Sequence, residues 1–176
     1  MTKGIIAGII LTLLAGLLGA YLFVATGCMP ANADGTPPAL EKWMARASLR
    51  ATLNREAPKG DNPQKLTDAN LIAGIKLYAA NCAACHGASD GEASNIAKGL
   101  YQHAPQLMKH GVEDDPEGKI YWFIKHGVRL TGMPAFSPTL TEDEIWQVTL
   151  FLKHMDSLTP AAEKAWKAVP SAKTRS

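Results

Sequence analysis

Residues 68–87 read DANLIAGIKLYAANCAACHG. Leu71, Ile75 and Tyr78 recur at helical spacing and form one apolar stripe, and Gly74 leaves room for another helix to come close. Thr67, directly before the run, is a capping residue type, and Leu66 and Leu71 have the spacing of a hydrophobic staple. The pattern predicts a helix from the Thr67 cap to about Ala83, running into Cys82-Ala83-Ala84-Cys85-His86.

Downstream, the same signals repeat. A long loop is expected over 87–105, then a helical turn near 105–110. Asp115-Pro116-Glu117 opens a further helix that ends at Gly127, with Pro at its first position and Gly after its last. Thr141-x-x-Glu144 is a capping box, with Leu140 and Ile145 as its staple, and starts a helix to about Met155. Pro160 begins a short final helix, and residues 170–176 are expected to fray. No segment alternates convincingly enough for a strand, and there is no internal repeat. The fold class is all-α.

Upstream, residues 39–55 make an amphipathic helix in which Leu40, Trp43, Met44, Ala47 and Ala51 share one face and Lys42, Arg46 and Arg50 another. Packing of that apolar stripe on the following domain is the expectation, with the membrane surface or a partner subunit as alternatives. Residues 57–63 (APKGDNP) end it, and 30–38 (PANADGTPP) form a linker. From Gly4 to Ala33 there is no charge, and Gly4–Thr26 is almost wholly apolar, roughly 35 Å as a helix and enough to cross a bilayer. Tyr21 and Phe23 lie near its outer end, and Lys3 gives a weak positive-inside signal. Ala31-Asn32-Ala33 has the form of a signal cleavage site, and Cys28 offers a lipidation reading, but the length of the apolar run favours a retained anchor. The expected organisation is an anchor over 1–27, a linker with a short helix over 28–66, an all-α domain over 67–158 and an extension over 159–176.

The chain has 176 residues and a net charge of +2, too small to suggest nucleic-acid binding. Residues 1–66 carry seven Lys and Arg against four acids, and 67–176 carry eleven against twelve, so the all-α domain is nearly neutral. The three cysteines do not describe a disulfide framework.

CAACH therefore calls for its own chemistry. Two thiols three positions apart near a helix end can reach two vinyl groups on one porphyrin edge, and His86 then lies under the iron as an axial ligand. A redox dithiol needs a strand before the motif and a structural zinc site needs a second ligand pair, and neither is present. One covalent haem c is the cofactor expected. Met133, between Gly132 and Pro134 in TGMPAF, is the candidate sixth ligand. Met29, Met44, Met108, Met155, His103, His110, His126 and His154 are the alternatives. Trp122, Phe123, Ile124, Val128, Leu130 and Phe136 are candidates for the haem lining or for ordinary core. Arg129 stands four residues before Met133, where it either pairs with a haem propionate or remains solvated.

Over about 67–156 the chain resembles the class I, single-haem cytochromes c of bacterial respiratory chains. The residues that carry this are Gly74 and Tyr78, CAACH, Pro105, TGMPAF, and Val148, Phe151 and Leu152. The resemblance implies that the first and last helices of the domain cross at Gly74 and Tyr78 against Val148 and Phe151. It also implies that the Pro105 carbonyl holds the second ring nitrogen of His86, with residues 87–104 as an insertion. The function it implies is electron transfer, by a membrane-anchored carrier or by the cytochrome subunit of an oxidoreductase complex, and not catalysis. Redox proteins in or at the membrane are the expected partners, with no small-molecule substrate. The expected location is the cytoplasmic membrane, single-pass, with the haem domain periplasmic. A haem sensor or enzyme with a displaceable sixth ligand is the alternative. The extensions at 39–66 and 157–176 mildly favour docking in a complex.

Overall fold

A computed structural model of the protein describes residues 2–171, and among these there are helices and no strand. The part of the expected fraying at 172–176 lies outside the described residues. The chain divides into two units, one running through Ala33 and one beginning at Asp34. The first is α1 (Thr2–Ala25), an apolar helix long enough to cross a membrane.

The second unit holds α2 (Ala39–Glu56), α3 (Asp68–Asn81), α4 (Ala83–His86), α5 (Asn95–Lys98), α6 (Glu117–His126), α7 (Glu142–Lys153) and α8 (Pro160–Lys167). α3 starts where Thr67 Oγ1 accepts the Asn70 amide at 3.3 Å. Leu66 stays exposed, so the expected staple against Leu71 buries little. The helix ends two residues earlier than the periodicity suggests, at Asn81. Cys82 has φ −114°, and a separate turn, α4, then carries Cys85 and His86.

The core is the crossing of α3 with α7. A Cβ on Gly74 would overlap the Gln147 carbonyl oxygen and approach Phe151 Cβ at 3.0 Å, so only glycine allows this contact. Leu71, Ile75, Tyr78, Val148 and Phe151 are fully buried there, each contributing about 1.5–3 kcal/mol of apolar transfer. Tyr78 meets Phe151 edge-on at 5.4 Å and Trp166 of α8 at 5.4 Å, and Phe151 and Trp166 meet at 5.1 Å. The last helix is thus part of the core and not an appendage. Thr159, which caps α8, also donates to Asp68 Oδ1 at 2.6 Å, tying the start of α8 to the start of α3. α7 shows the complete capping box, Glu144 N to Thr141 Oγ1 at 3.3 Å and Thr141 N to Glu144 Oε2 at 2.8 Å.

Two expectations change. Residues 87–105 are not simply loop, because Ser94 caps α5 by accepting from Ala97 N while donating to the Ala84 carbonyl. The turn near 105–110 is present, with the Lys109 and His110 amides donating to Gln106 O at 2.9 Å. The apolar stripe of α2 is also not the face that packs. Leu53 is buried near α6, Glu56 Oε2 accepts from Trp122 Nε1 at 3.3 Å, and Glu41 Oε2 accepts from Tyr101 OH at 2.9 Å. These anchors turn Leu40, Trp43, Met44, Ala47 and Ala51 outward. The 57–66 segment is fastened as well. Asn62 Nδ2 donates to Glu117 Oε1 and to Trp146 O, both at 3.2 Å, and Gln64 Nε2 donates to Asp143 Oδ1 at 2.9 Å.

Candidate functional site

Cys82 ends α3, and the amides of Cys85 and His86 donate to its carbonyl at 3.0 and 2.9 Å, so one tight turn presents both thiols and the imidazole. All three face one apolar cleft. Phe123, Ile124 and Val128 line it from the end of α6 and just beyond, and Met133, Pro134 and Phe136 line it from the loop that follows. Of the sequence candidates for lining, Trp122 and Leu130 are not there. Trp122 is turned toward Glu56 and meets the His126 ring at a tilt of 38°, centroids 5.1 Å apart. Leu130 has φ +61° and lies 90% exposed, because the bend that reaches Met133 turns it outward.

His86 Nδ1 lies 2.9 Å from the Pro105 carbonyl oxygen. A carbonyl only accepts, so Nδ1 carries the proton and Nε2 keeps the lone pair that a metal needs. Burial holds the His86 pKa below its ordinary value, against the bond to Pro105, which pulls it upward. Burial first, and then the neighbouring Cys85, push the Cys82 thiol up to about 12. Among the described residues no three His, Cys, Asp or Glu side chains converge as a metal site. The donor set fits an iron porphyrin: two thiols for covalent attachment, an imidazole nitrogen with its tautomer set, a thioether lining the same cleft, and apolar walls.

Hydrogen bonds that sequence reading did not anticipate hold this turn. Gln106 Nε2 donates to Cys85 O at 3.0 Å and to Ala104 O at 3.2 Å, bridging the attachment turn to the residue before Pro105. Tyr78 OH donates to Gly87 O at 2.8 Å, and Leu107 N to His86 O at 3.1 Å. Tyr78 was legible as core, but its hydroxyl bond had no local signal, and neither did Gln106.

Met133 is set by its own loop. Gly127, at φ +64°, lies against the Met133 and Pro134 carbonyls where a Cβ would not fit. Val128 N donates to Met133 O at 3.1 Å, and Thr131 Oγ1 donates to Val128 O at 2.7 Å while accepting from Met133 N at 3.1 Å. Among the alternative ligands, Met155 is buried in the core, Met29, Met44 and Met108 are exposed, and His110, His126 and His154 lie off the cleft. His103 does line the cleft, but it belongs to the segment that leads to Pro105. Arg129 is exposed and lies outside the cleft lining.

The family model described as cytochrome c oxidase, cbb3-type, subunit III matches residues 69–152, from the start of α3 to the end of α7. A cytochrome c6 from Leptolyngbya boryana is 39% identical over 98 residues, which is 56% of this chain and 100% of that protein. The chain belongs to the single-haem c-type cytochromes. No solved structure matches it. The cofactor of this cytochrome is covalently bound haem c, for which Cys82 and Cys85 fit the attachment motif, and its role is that of an electron carrier and not an enzyme. The family match takes in the α3–α7 crossing, the attachment turn and the Met133 loop. It leaves α1, α2 and α8 outside.

Proposed function

We propose that this cytochrome is a membrane-anchored respiratory electron carrier, free-standing or as a subunit, with His86 and Met133 as the axial ligands of its haem iron. The observation that carries the reading is that both side chains line the cleft faced by Cys82 and Cys85. Haem c supplies a one-electron iron couple. The chain's residues do the rest. Cys82 and Cys85 would fix the group, Pro105 orients His86, and Met133, lining the same cleft, would ligate the iron and leave no position for a substrate. A soft thioether favours the ferrous state and raises the potential relative to a second nitrogen ligand. The apolar walls disfavour the extra charge of the ferric form in the same direction.

The length and apolar character of α1 support a single membrane span, and the reading puts that span in the cytoplasmic membrane with the haem domain, residues 67–158 and the segments built onto it, on the periplasmic side. Redox proteins in or at that membrane are the partners. Arg129, exposed near the Met133 loop, is a candidate to meet them or a propionate.

A redox-titrated absorption spectrum of Met133→Ala tests the ligand assignment. The midpoint should fall by on the order of 0.1–0.3 V, within the ~0.8 V range that axial ligands command. The ferrous form should then bind carbon monoxide, which the parent excludes. An unchanged potential with no gas binding discards Met133. Carbon monoxide binding by the parent would favour the sensor or enzyme reading.

A further inference from the structure

We propose that α2 is a second membrane contact, lying on the anionic surface of the bilayer that holds α1. The inference rests on the reading of α1 as a span, and it concerns a face that no role described so far has used. Leu40, Trp43 and Met44 are 65, 67 and 50% exposed. At i, i+3 and i+4 they form one apolar ridge, which Ala47 and Ala51 continue along the helix. The other side of α2 is already occupied, since Leu53, Glu41 and Glu56 fasten it to the haem unit. The helix is therefore two-faced: one side docked, the opposite side apolar and open.

Charge selects the occupant. Arg46 and Arg50 are exposed and border the ridge. Both acids within the helix are engaged, Glu41 with Tyr101 and Glu56 with Trp122 and Arg55. The free side thus presents arginines around an apolar ridge, the composition of an interfacial helix that sinks its apolar residues among acyl chains and leaves its cations among anionic headgroups. Trp43 is the residue type that prefers that depth. Thirteen residues, 26–38, join α1 to α2 and span at most ~45 Å when extended. A bilayer crossed by α1 is consequently always within reach, and weak affinity is enough for occupancy. A protein partner of matching acidic character is the competing occupant, and it lacks this covalent proximity.

The test uses the full-length, haem-loaded chain with Cys28→Ser and a nitroxide at Met44→Cys, in nanodiscs of zwitterionic lipid with or without phosphatidylglycerol. Spin-label collisions with oxygen report lipid, and collisions with a water-soluble nickel chelate report solvent. In the anionic discs the oxygen-to-nickel ratio at 44 should exceed severalfold that of a label at the exposed Lys98→Cys. Arg46→Gln and Arg50→Gln should each reduce the docked-to-free ratio by about fivefold. A label at Leu14→Cys, at the middle of α1, separates the two readings. If Leu14 is lipid-buried while position 44 meets nickel freely in both lipids, surface docking is overturned and the anchor stands. If Leu14 itself meets nickel, both fall. Slowed label motion at 44 without added oxygen contact means that a protein covers the face, and this also overturns the bilayer assignment.

Discussion

The two axial candidates are held in different ways. His86 sits in a turn that continues from α3 and is fastened by bonds from distant residues, Pro105, Gln106 and Leu107, with Tyr78 reaching in from the core. Met133 sits in a loop whose bonds run mainly between residues 124 and 136. Long-range fastening makes the His86 side open only when the domain opens. Local fastening allows the Met133 side to open alone. One candidate is thus tied to global stability and the other to a local equilibrium, which suits a site that holds its cofactor covalently at Cys82 and Cys85.

The largest effect should come from breaking what the His86 side depends on. Gly74→Leu forces α3 and α7 apart at the Gln147 carbonyl. A loss of about 3–5 kcal/mol is expected, seen as a collapse in the yield of haem-loaded protein. Gln106→Leu removes the bridge from Cys85 to Ala104 and should cost about 1–2 kcal/mol in denaturant unfolding. If unfolding is unchanged but ligand exchange at the iron speeds up, the His86 side is also locally mobile and the contrast fails.

On the other side, Thr131→Val deletes both hydroxyl bonds of the Met133 loop. Global unfolding should move little, while the open fraction rises about fivefold for ~1 kcal/mol lost, read as faster binding of added imidazole. A matching fall in global stability would show that the loop and the core open together.

The smallest effect concerns acid. The Thr141 backbone amide first, and then the Thr141 hydroxyl, hold Glu144 below its ordinary pKa of 4.5. A depressed carboxylate pKa means that folding favours the ionised form. The stabilisation is present above 4.5 and is lost as pH falls through the lower folded value. The gap in melting temperature between the parent and Glu144→Gln should therefore be open at pH 7 and close below that window. A gap independent of pH would show that the cap works through neutral bonds alone.

Much of this was legible because it is local. A capping box, a glycine at a crossing and a C-x-x-C-H run are written within a few residues of one another, and the structure presents each in its expected place. The Pro105 bond to His86 was reached through family resemblance and not through spacing. Gln106, the hydroxyl of Tyr78 and the role of Trp166 act across 9 to 88 positions, where periodicity carries no information. The α2 stripe misled for a related reason. An apolar ridge shows that a face wants cover without saying which neighbour covers it, and the polar anchors Glu41 and Glu56 decided the orientation.

The aromatic triad of Tyr78, Phe151 and Trp166 has a practical consequence for anyone shortening this protein. Cutting at 158, where a minimal carrier would be expected to end, uncovers the ring whose hydroxyl braces the residue next to His86. A trimmed version intended for an electrode or a fusion should keep the chain through Val169, which is buried against the same core.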